Sequence, residues 1–134
     1  MAPKILVVED NALHRELMTD LLRANGFDVL EAGDGEEGLK AAREGRPDLI
    51  VMDMQMPVMD GIRAASILKA DPDTRAIKIL AVTAFAMKGD RERILMSGVD
   101  EYLPKPVNTR ELPNIIRRML GIYAGPQPPA KERT

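Results

Sequence analysis

The chain contains no cysteine, so disulfides, thiolate metal sites and sulfur nucleophiles are all excluded; a reducing compartment is compatible with this. It has no apolar run near 20 residues, and Met1-Ala2-Pro3-Lys4 leads straight into a short strand without a signal-peptide core. Neither a membrane span nor an export signal is expected, and a soluble cytoplasmic protein follows. A large excess of either charge is missing too: 19 basic against 21 acidic residues give a formal charge of −2, with Lys and Arg scattered. That leaves no electrostatic footprint for nucleic acid or an anionic membrane, and points to protein partners. There is also no Gly-rich phosphate loop of either standard form, which argues against a nucleotide-dependent kinase; Gly33-Asp34-Gly35 reads as a turn entering a helix. The sole histidine, His14, reads as a solvent-facing helix residue rather than a phosphoacceptor.

What is present is a length of 134 residues, enough for one good core, and a five-fold alternation of short apolar runs with segments of helical period. Apolar runs recur at 5–8, 49–52 and 79–82, with weaker ones near 27–30 and 99–103. The first helix, 11–25, carries Leu13, Leu17 and Leu21 with Met18 and Leu22, and Gly26 stands at a left-handed stop. Asp34-Gly35-Glu36-Glu37 opens the second, which stops near Gly45. Asp60 caps the third, which cannot pass Asp71-Pro72. Residues 86–97 predict a fourth helix ending at Gly98. The stripe Leu112, Ile115, Ile116, Met119 and Leu120 predicts a fifth, ended by Gly121, with Pro113 leaving its start open. Alternating elements imply right-handed crossovers and a doubly wound α/β domain: five parallel strands between two layers of five helices, over residues 1–121. Residues 122–134, with Pro126, Pro128 and Pro129, read as a disordered Pro-rich tail. Arg91, Arg93, Arg117 and Arg118 read as solvated helix faces.

Four groups sit at or just beyond strand ends: Glu9-Asp10, Asp53, Thr83 and Lys105. In a parallel sheet such residues emerge together at the C-terminal edge, where open α/β folds place ligand sites. Three carboxylates in one partly desolvated crevice repel each other, and so must take up protons or bind a cation. A hard divalent ion is the simpler answer.

The motifs Val7-Val8-Glu9-Asp10-Asn11, Met52-Asp53-Met54-Gln55-Met56-Pro57-Val58-Met59-Asp60-Gly61, Ala81-Val82-Thr83-Ala84 and Lys105-Pro106 resemble the receiver domain of two-component response regulators over about residues 4–121. The stretch from Ala84 to Asp90 is similar to single-domain receivers of the DivK type. The resemblance implies a flavodoxin-like fold and Mg²⁺-dependent transfer of a phosphoryl group onto Asp53. The donor would be a phosphohistidine on a sensor histidine kinase or histidine phosphotransfer protein. By the same resemblance Asp10 and Asp53 bind Mg²⁺ directly, Glu9 acts through a bound water, and Gln55 contributes its backbone carbonyl. Lys105 pairs with Asp53 at rest and with a phosphoryl oxygen afterwards. Thr83 and Tyr102 act as the switch towards a face built from the fourth helix, fifth strand and fifth helix, which meets a downstream protein. Small Ala84 leaves room for the phosphoryl group, while Gln55 and Phe85 control water access and imply slow autodephosphorylation rather than classical turnover. A cis Lys105-Pro106 bond is also implied.

Each feature has a plainer reading. Asp60 is better explained as a helix cap than as chemistry, Thr83 alone would pass for a turn hydroxyl, and Tyr102 for a packed strand end. A haloacid-dehalogenase-type phosphatase wants a second acid where Gln55 stands, and a flavin carrier wants a hydroxyl-rich loop where Glu9-Asp10-Asn11 stands. A phosphorylation-silent adaptor, or a receiver fragment of a larger regulator or hybrid kinase, remains the alternative.

Overall fold

The computed structural model describes residues 2–54, 60–84 and 88–122; Gln55, Phe85 and the Pro-rich segment from Tyr123 onward lie outside them. The elements alternate strictly: β1 Lys4–Val8, α1 Ala12–Ala24, β2 Asp28–Ala32, α2 Gly35–Gly45, β3 Leu49–Asp53, α3 Gly61–Ala70, β4 Lys78–Thr83, α4 Lys88–Met96, β5 Glu101–Pro104 and α5 Glu111–Leu120. All four strand pairings are parallel, in the order β2-β1-β3-β4-β5. The chain therefore winds one way from β1 to β2 and the other way from β3 onward, and the switch point opens between β1 and β3.

The pleat sends alternate residues to opposite helix layers. Leu6, Val8, Ile50, Met52, Ile79 and Ala81 pack with α2, α3 and α4 through Leu39, Ala42, Ala64, Ala65, Leu68 and Ile94. Ile5, Val7, Leu49, Val51, Leu80 and Val82 pack with α1 and α5 through Leu22, Leu112 and Ile116. Continuous apolar strands are what a sheet covered on both faces requires.

Local signals place the helices. Asn11 and Asp60 cap α1 and α3 by accepting from the backbone N–H groups of His14 (3.0 Å) and Arg63 (2.8 Å), and Asp34 does the same for α2 through Glu37. Gly26, Gly98 and Gly121 take positive φ after α1, α4 and α5. The start of α5 resolves around Asn108, whose Oδ1 accepts from the N–H groups of Arg110 and Glu111. Pro113 is then the third helical residue, where no intrahelical N–H bond is needed. Of the fourth helix expected over 86–97, the described part is Lys88–Met96.

The helix over 11–25 forms as expected, but not every apolar residue on it meets the sheet, and one arginine expected to be solvated is only partly so. On α1 the residues buried against the sheet are Thr19 and Leu22, while Leu13 and Leu17 are 62% and 59% exposed. Periodicity groups residues on one face without saying which face meets the sheet, and here the Leu13-Leu17 edge turns aside from it. Arg117 is only partly solvated: its Nη2 donates to the Asn25 carbonyl at 2.9 Å and its guanidinium lies over Phe27. Arg118 pairs with Glu101, and Arg91 lies over the ring of Tyr102.

The N-terminal edge of the sheet is tied by charged groups. Lys4 N–H donates to Asp48 Oδ2. Lys69 Nζ donates to the carbonyls of Arg75 and Ile77 and to Asp100 Oδ2, filling its three donor positions, and Asp100 Oδ2 also accepts from Ile79 N–H.

At the opposite edge, Gly61 lies against the end of β3. A Cβ there would sit 2.6 Å from the Asp53 carbonyl oxygen and 2.8 Å from Met54 Cα, both main chain. Gly61→Ala should therefore destabilise the fold by about 1–3 kcal/mol, the usual range for overpacking. An unchanged urea midpoint would show that β3 yields without cost.

Candidate functional site

Pleat alternation carries the chemistry as well as the core. Asp53 continues the Leu49-Val51 series and Glu9 the Ile5-Val7 series, so both carboxylates leave the sheet beside the switch point on the side of α1 and α5. Lys105 follows Leu103, which packs in that same layer. The three meet: Lys105 Nζ lies 3.4 Å from Asp53 Oδ2 and 3.7 Å from Glu9 Oε1. Glu9 and Asp53 are 1% and 3% exposed. One part-exposed ammonium thus faces two carboxylates that have almost no contact with water.

The main chain holds this arrangement. Glu9 N–H donates to the Ala32 carbonyl, Met54 N–H to Val82, and Lys105 N–H to Thr83 at 2.8 Å, so each strand end is bonded to its neighbour. Glu9 Oε2 accepts from Asn11 N–H at 3.2 Å, and the Glu9 carbonyl accepts from Arg15 Nη1 at 2.8 Å. Thr83 is fully buried at the end of β4, Ala84 next to it is exposed, and the Lys105-Pro106 bond is cis.

Asp10 completes the acidic set. One carboxylate oxygen each from Glu9, Asp10 and Asp53 lie within 4.8 Å of one another. Among the described residues Glu9 Oε1 is buried without a hydrogen-bond partner. Burial, reinforced by its hydrogen bond with Asp53, pushes the Glu9 carboxyl from 4.5 up to about 7. A lone buried acceptor beside two more carboxylates is an unfavourable arrangement that a hard, oxygen-seeking divalent cation would relieve. The donor set therefore fits Mg²⁺, which accepts a shell of carboxylate, carbonyl and water oxygens.

The residues expected to act together, Glu9, Asp10, Asp53 and Lys105, are brought to one crevice; Thr83 ends the neighbouring strand β4. Tyr102 is half-buried on β5, opposite Ala81 in register. Gln55 and Phe85 lie outside the described residues. Asp60 serves as a cap and His14 is exposed, in keeping with their plainer readings. Arg15 was not marked by the sequence; the only hint is a cation six residues after Glu9 on the helix that follows it. An apolar groove is walled by Leu17, Met18 and Leu21 of α1 and by Pro106 and Val107, and Glu9 and Lys105 of the crevice also line it.

Comparison with known proteins agrees with this geometry. The response regulator receiver domain family matches residues 5–117. The polar-differentiation response regulator DivK of Brucella anthropi is 43% identical over 121 residues, which span 90% of this chain and 98% of that protein; DivK of Brucella ovis is 42% identical over the same lengths. Among solved structures, the receiver domain of sensor histidine kinase PA1611 from Pseudomonas aeruginosa superposes with a TM-score of 0.83 at 37% identity, covering 90% of this chain and 99% of that one. It holds a magnesium ion in its active-site cleft. Chemotaxis protein CheY4 of Vibrio cholerae superposes with a TM-score of 0.83 at 28% identity, over 88% and 98% of the two chains.

Proposed function

The chain belongs to the response regulator receiver family of two-component signalling, and from that premise we propose that Asp53 accepts a phosphoryl group from a phosphohistidine. The observation that carries this reading is the buried Asp53 carboxylate, 3.4 Å from the Lys105 ammonium and within ligand distance of Glu9 and Asp10. An Asp53 oxygen attacks phosphorus in line with the scissile P–N bond. As the new O–P bond forms, the imidazole nitrogen leaves with the electron pair of the old one. Charge spreads over the equatorial phosphoryl oxygens, and Lys105 is the chain's own counter-charge there. Asp10, Asp53, the Gln55 carbonyl and, through a water, Glu9 would hold Mg²⁺, which would supply further neutralisation of the charge that builds up on transfer.

The phosphohistidine comes from a sensor histidine kinase or histidine phosphotransfer protein acting in the cytoplasm. Its carrier must cover the surface beside Asp53 for the imidazole to reach in. The groove along α1, which Glu9 and Lys105 also line, is that surface, and exposed Leu17 in its wall, with exposed Leu13 one turn earlier on α1, supplies an apolar contact.

The response would run through Thr83 and Tyr102. A phosphoryl group on Asp53 adds about −1.5 to −2 of charge and new acceptor oxygens, and the Thr83 hydroxyl donates to one of them only in that state. Tyr102 then shifts beneath Arg91 and changes the α4-β5-α5 face, where Leu95 and Met96 are exposed for a downstream protein. Ala84 leaves space for the group, and Gln55 and Phe85 hinder attack by water, so the phosphoryl group is lost slowly.

Incubation with Mg²⁺ and acetyl phosphate tests the reading by intact mass. One added phosphoryl group, mapped to the peptide bearing Asp53 and persisting for minutes, is the expected result. No addition at saturating Mg²⁺ favours the phosphorylation-silent adaptor, and continuous hydrolysis of the donor favours a phosphatase.

A further inference from the structure

Arg15 stands on the second turn of α1 with its side chain 24% exposed, and its polar contacts run back to the acidic strand end. Its Nη1 donates to the Glu9 carbonyl at 2.8 Å, and its Nε lies 3.4 Å from Glu31 Oε1 on β2. Its backbone N–H donates to the Asn11 carbonyl at 2.9 Å, while Asn11 N–H donates to Glu9 Oε2. Glu9, Asn11 and Arg15 thus close a small ring of hydrogen bonds around Asp10.

Orienting the Glu9 carbonyl orients the whole Glu9–Asp10 peptide plane, because that bond is planar. Glu9 N–H is already fixed on the Ala32 carbonyl. With the carbonyl fixed as well, the direction in which the exposed Asp10 leaves the main chain is determined. A charge-assisted bond to a backbone acceptor is strong enough to do this, whereas the ion pair with half-exposed Glu31 is worth little by itself. We propose that Arg15 is a positioning residue for the metal site: its guanidinium aims Asp10 at the cation by holding the Glu9 carbonyl. The proposal rests on the Mg²⁺ reading given above.

The sign of the effect separates this role from simple electrostatics. Arg15 is a cation near a cation site, so removing its charge should by Coulomb's law tighten Mg²⁺ binding. Removing a positioning group should weaken it, and loss of such outer partners of metal ligands typically costs tenfold or more in affinity. The test is calorimetric Mg²⁺ titration without a phosphodonor on the full chain and its Arg15→Met, Arg15→Lys and Glu31→Gln forms, with unfolding temperatures measured alongside. Arg15→Met keeps the apolar stem and should bind Mg²⁺ about tenfold more weakly. Arg15→Lys, with its charge but without the fork, should bind between the two. Glu31→Gln should stay within about twofold of wild type, since an exposed pair contributes little. Ile116→Val, a core change that touches none of the Arg15 contacts, controls for lost stability and should leave the affinity unchanged. Unchanged or tighter binding by Arg15→Met overturns the inference, as does an equal loss in Glu31→Gln or Ile116→Val. If Arg15→Met does not fold, wild-type affinity in Arg15→Lys overturns it. A wild-type chain that binds no Mg²⁺ overturns the metal reading and this inference together.

Discussion

Lys105→Ala should slow phosphoryl uptake from acetyl phosphate by about 10²–10³-fold at saturating Mg²⁺, the size of effect seen when one preorganised charge partner is lost from a reacting centre. Lys105 Nζ is 3.4 Å from Asp53 Oδ2, in surroundings where Glu9 and Asp53 are nearly water-free. An ammonium there is worth more than in water, although its own partial exposure tempers the gain. It is already in place before the phosphoryl group arrives, so no reorganisation is needed as charge develops. A loss of 10²–10³ corresponds to about 3–4 kcal/mol of transition-state stabilisation. Asp53→Asn, which keeps the shape but lacks the nucleophile, sets the zero of the measurement. Lys105→Arg should recover only part of the rate, because a planar fork does not put its charge where the ammonium sits. Quenched-flow mass spectrometry reads these rates directly. A Lys105→Ala rate within threefold of wild type would remove the ammonium from the chemistry.

The second large effect is on pH. In the metal-free fold the Glu9 carboxyl is raised from 4.5 to about 7, first by burial and second by its hydrogen bond with Asp53. Below pH 4.5 the group is protonated in both folded and unfolded chains and stability is unaffected. Between 4.5 and 7 the folded chain holds a proton that the unfolded chain has released, so stability falls as pH rises; above 7 the loss is complete. A shift of this size amounts to roughly 3 kcal/mol. Glu9→Gln should therefore stabilise the metal-free protein at pH 8 by up to that amount and change little at pH 4. Mg²⁺ must displace the same proton, so its affinity should rise about tenfold between pH 6 and pH 8, and Glu9→Gln should flatten the rise. Chemical unfolding and Mg²⁺ titration at the two pH values decide it; a flat wild-type profile would contradict the raised carboxyl.

Much of this was legible before the fold was known, for physical reasons that differ from element to element. The strands announced themselves because a sheet covered on both faces needs continuous apolar runs, and a polar residue ending such a run marks the C-terminal edge. Asp34, Asp60, Gly26 and Gly121 marked helix ends because caps are local chemistry. What escaped was set by distance or orientation. Nothing near Arg117 in the sequence betrays Asn25, its partner 92 positions away. The Leu13-Leu17 edge of α1 had the period of a core face, yet it borders the groove instead of the sheet. The start of α5 stayed open because Pro113 blurred it, and the bonds of Asn108 Oδ1 to Arg110 and Glu111 N–H that settle it depend on how the loop folds back. Arg15 looked like any helix cation, since its role depends on where a main-chain carbonyl points.

Lys69, with its three acceptors, and the pair Lys4 and Asp48 fasten the end of the sheet farthest from the acidic crevice. Robustness and reactivity are thereby housed at opposite poles of the same strands. The reactive pole is free to keep an uncomfortable crowd of carboxylates, because the other pole supplies cohesion. Selection, or an engineer, can strengthen the molecule from that far pole without disturbing how it answers a signal.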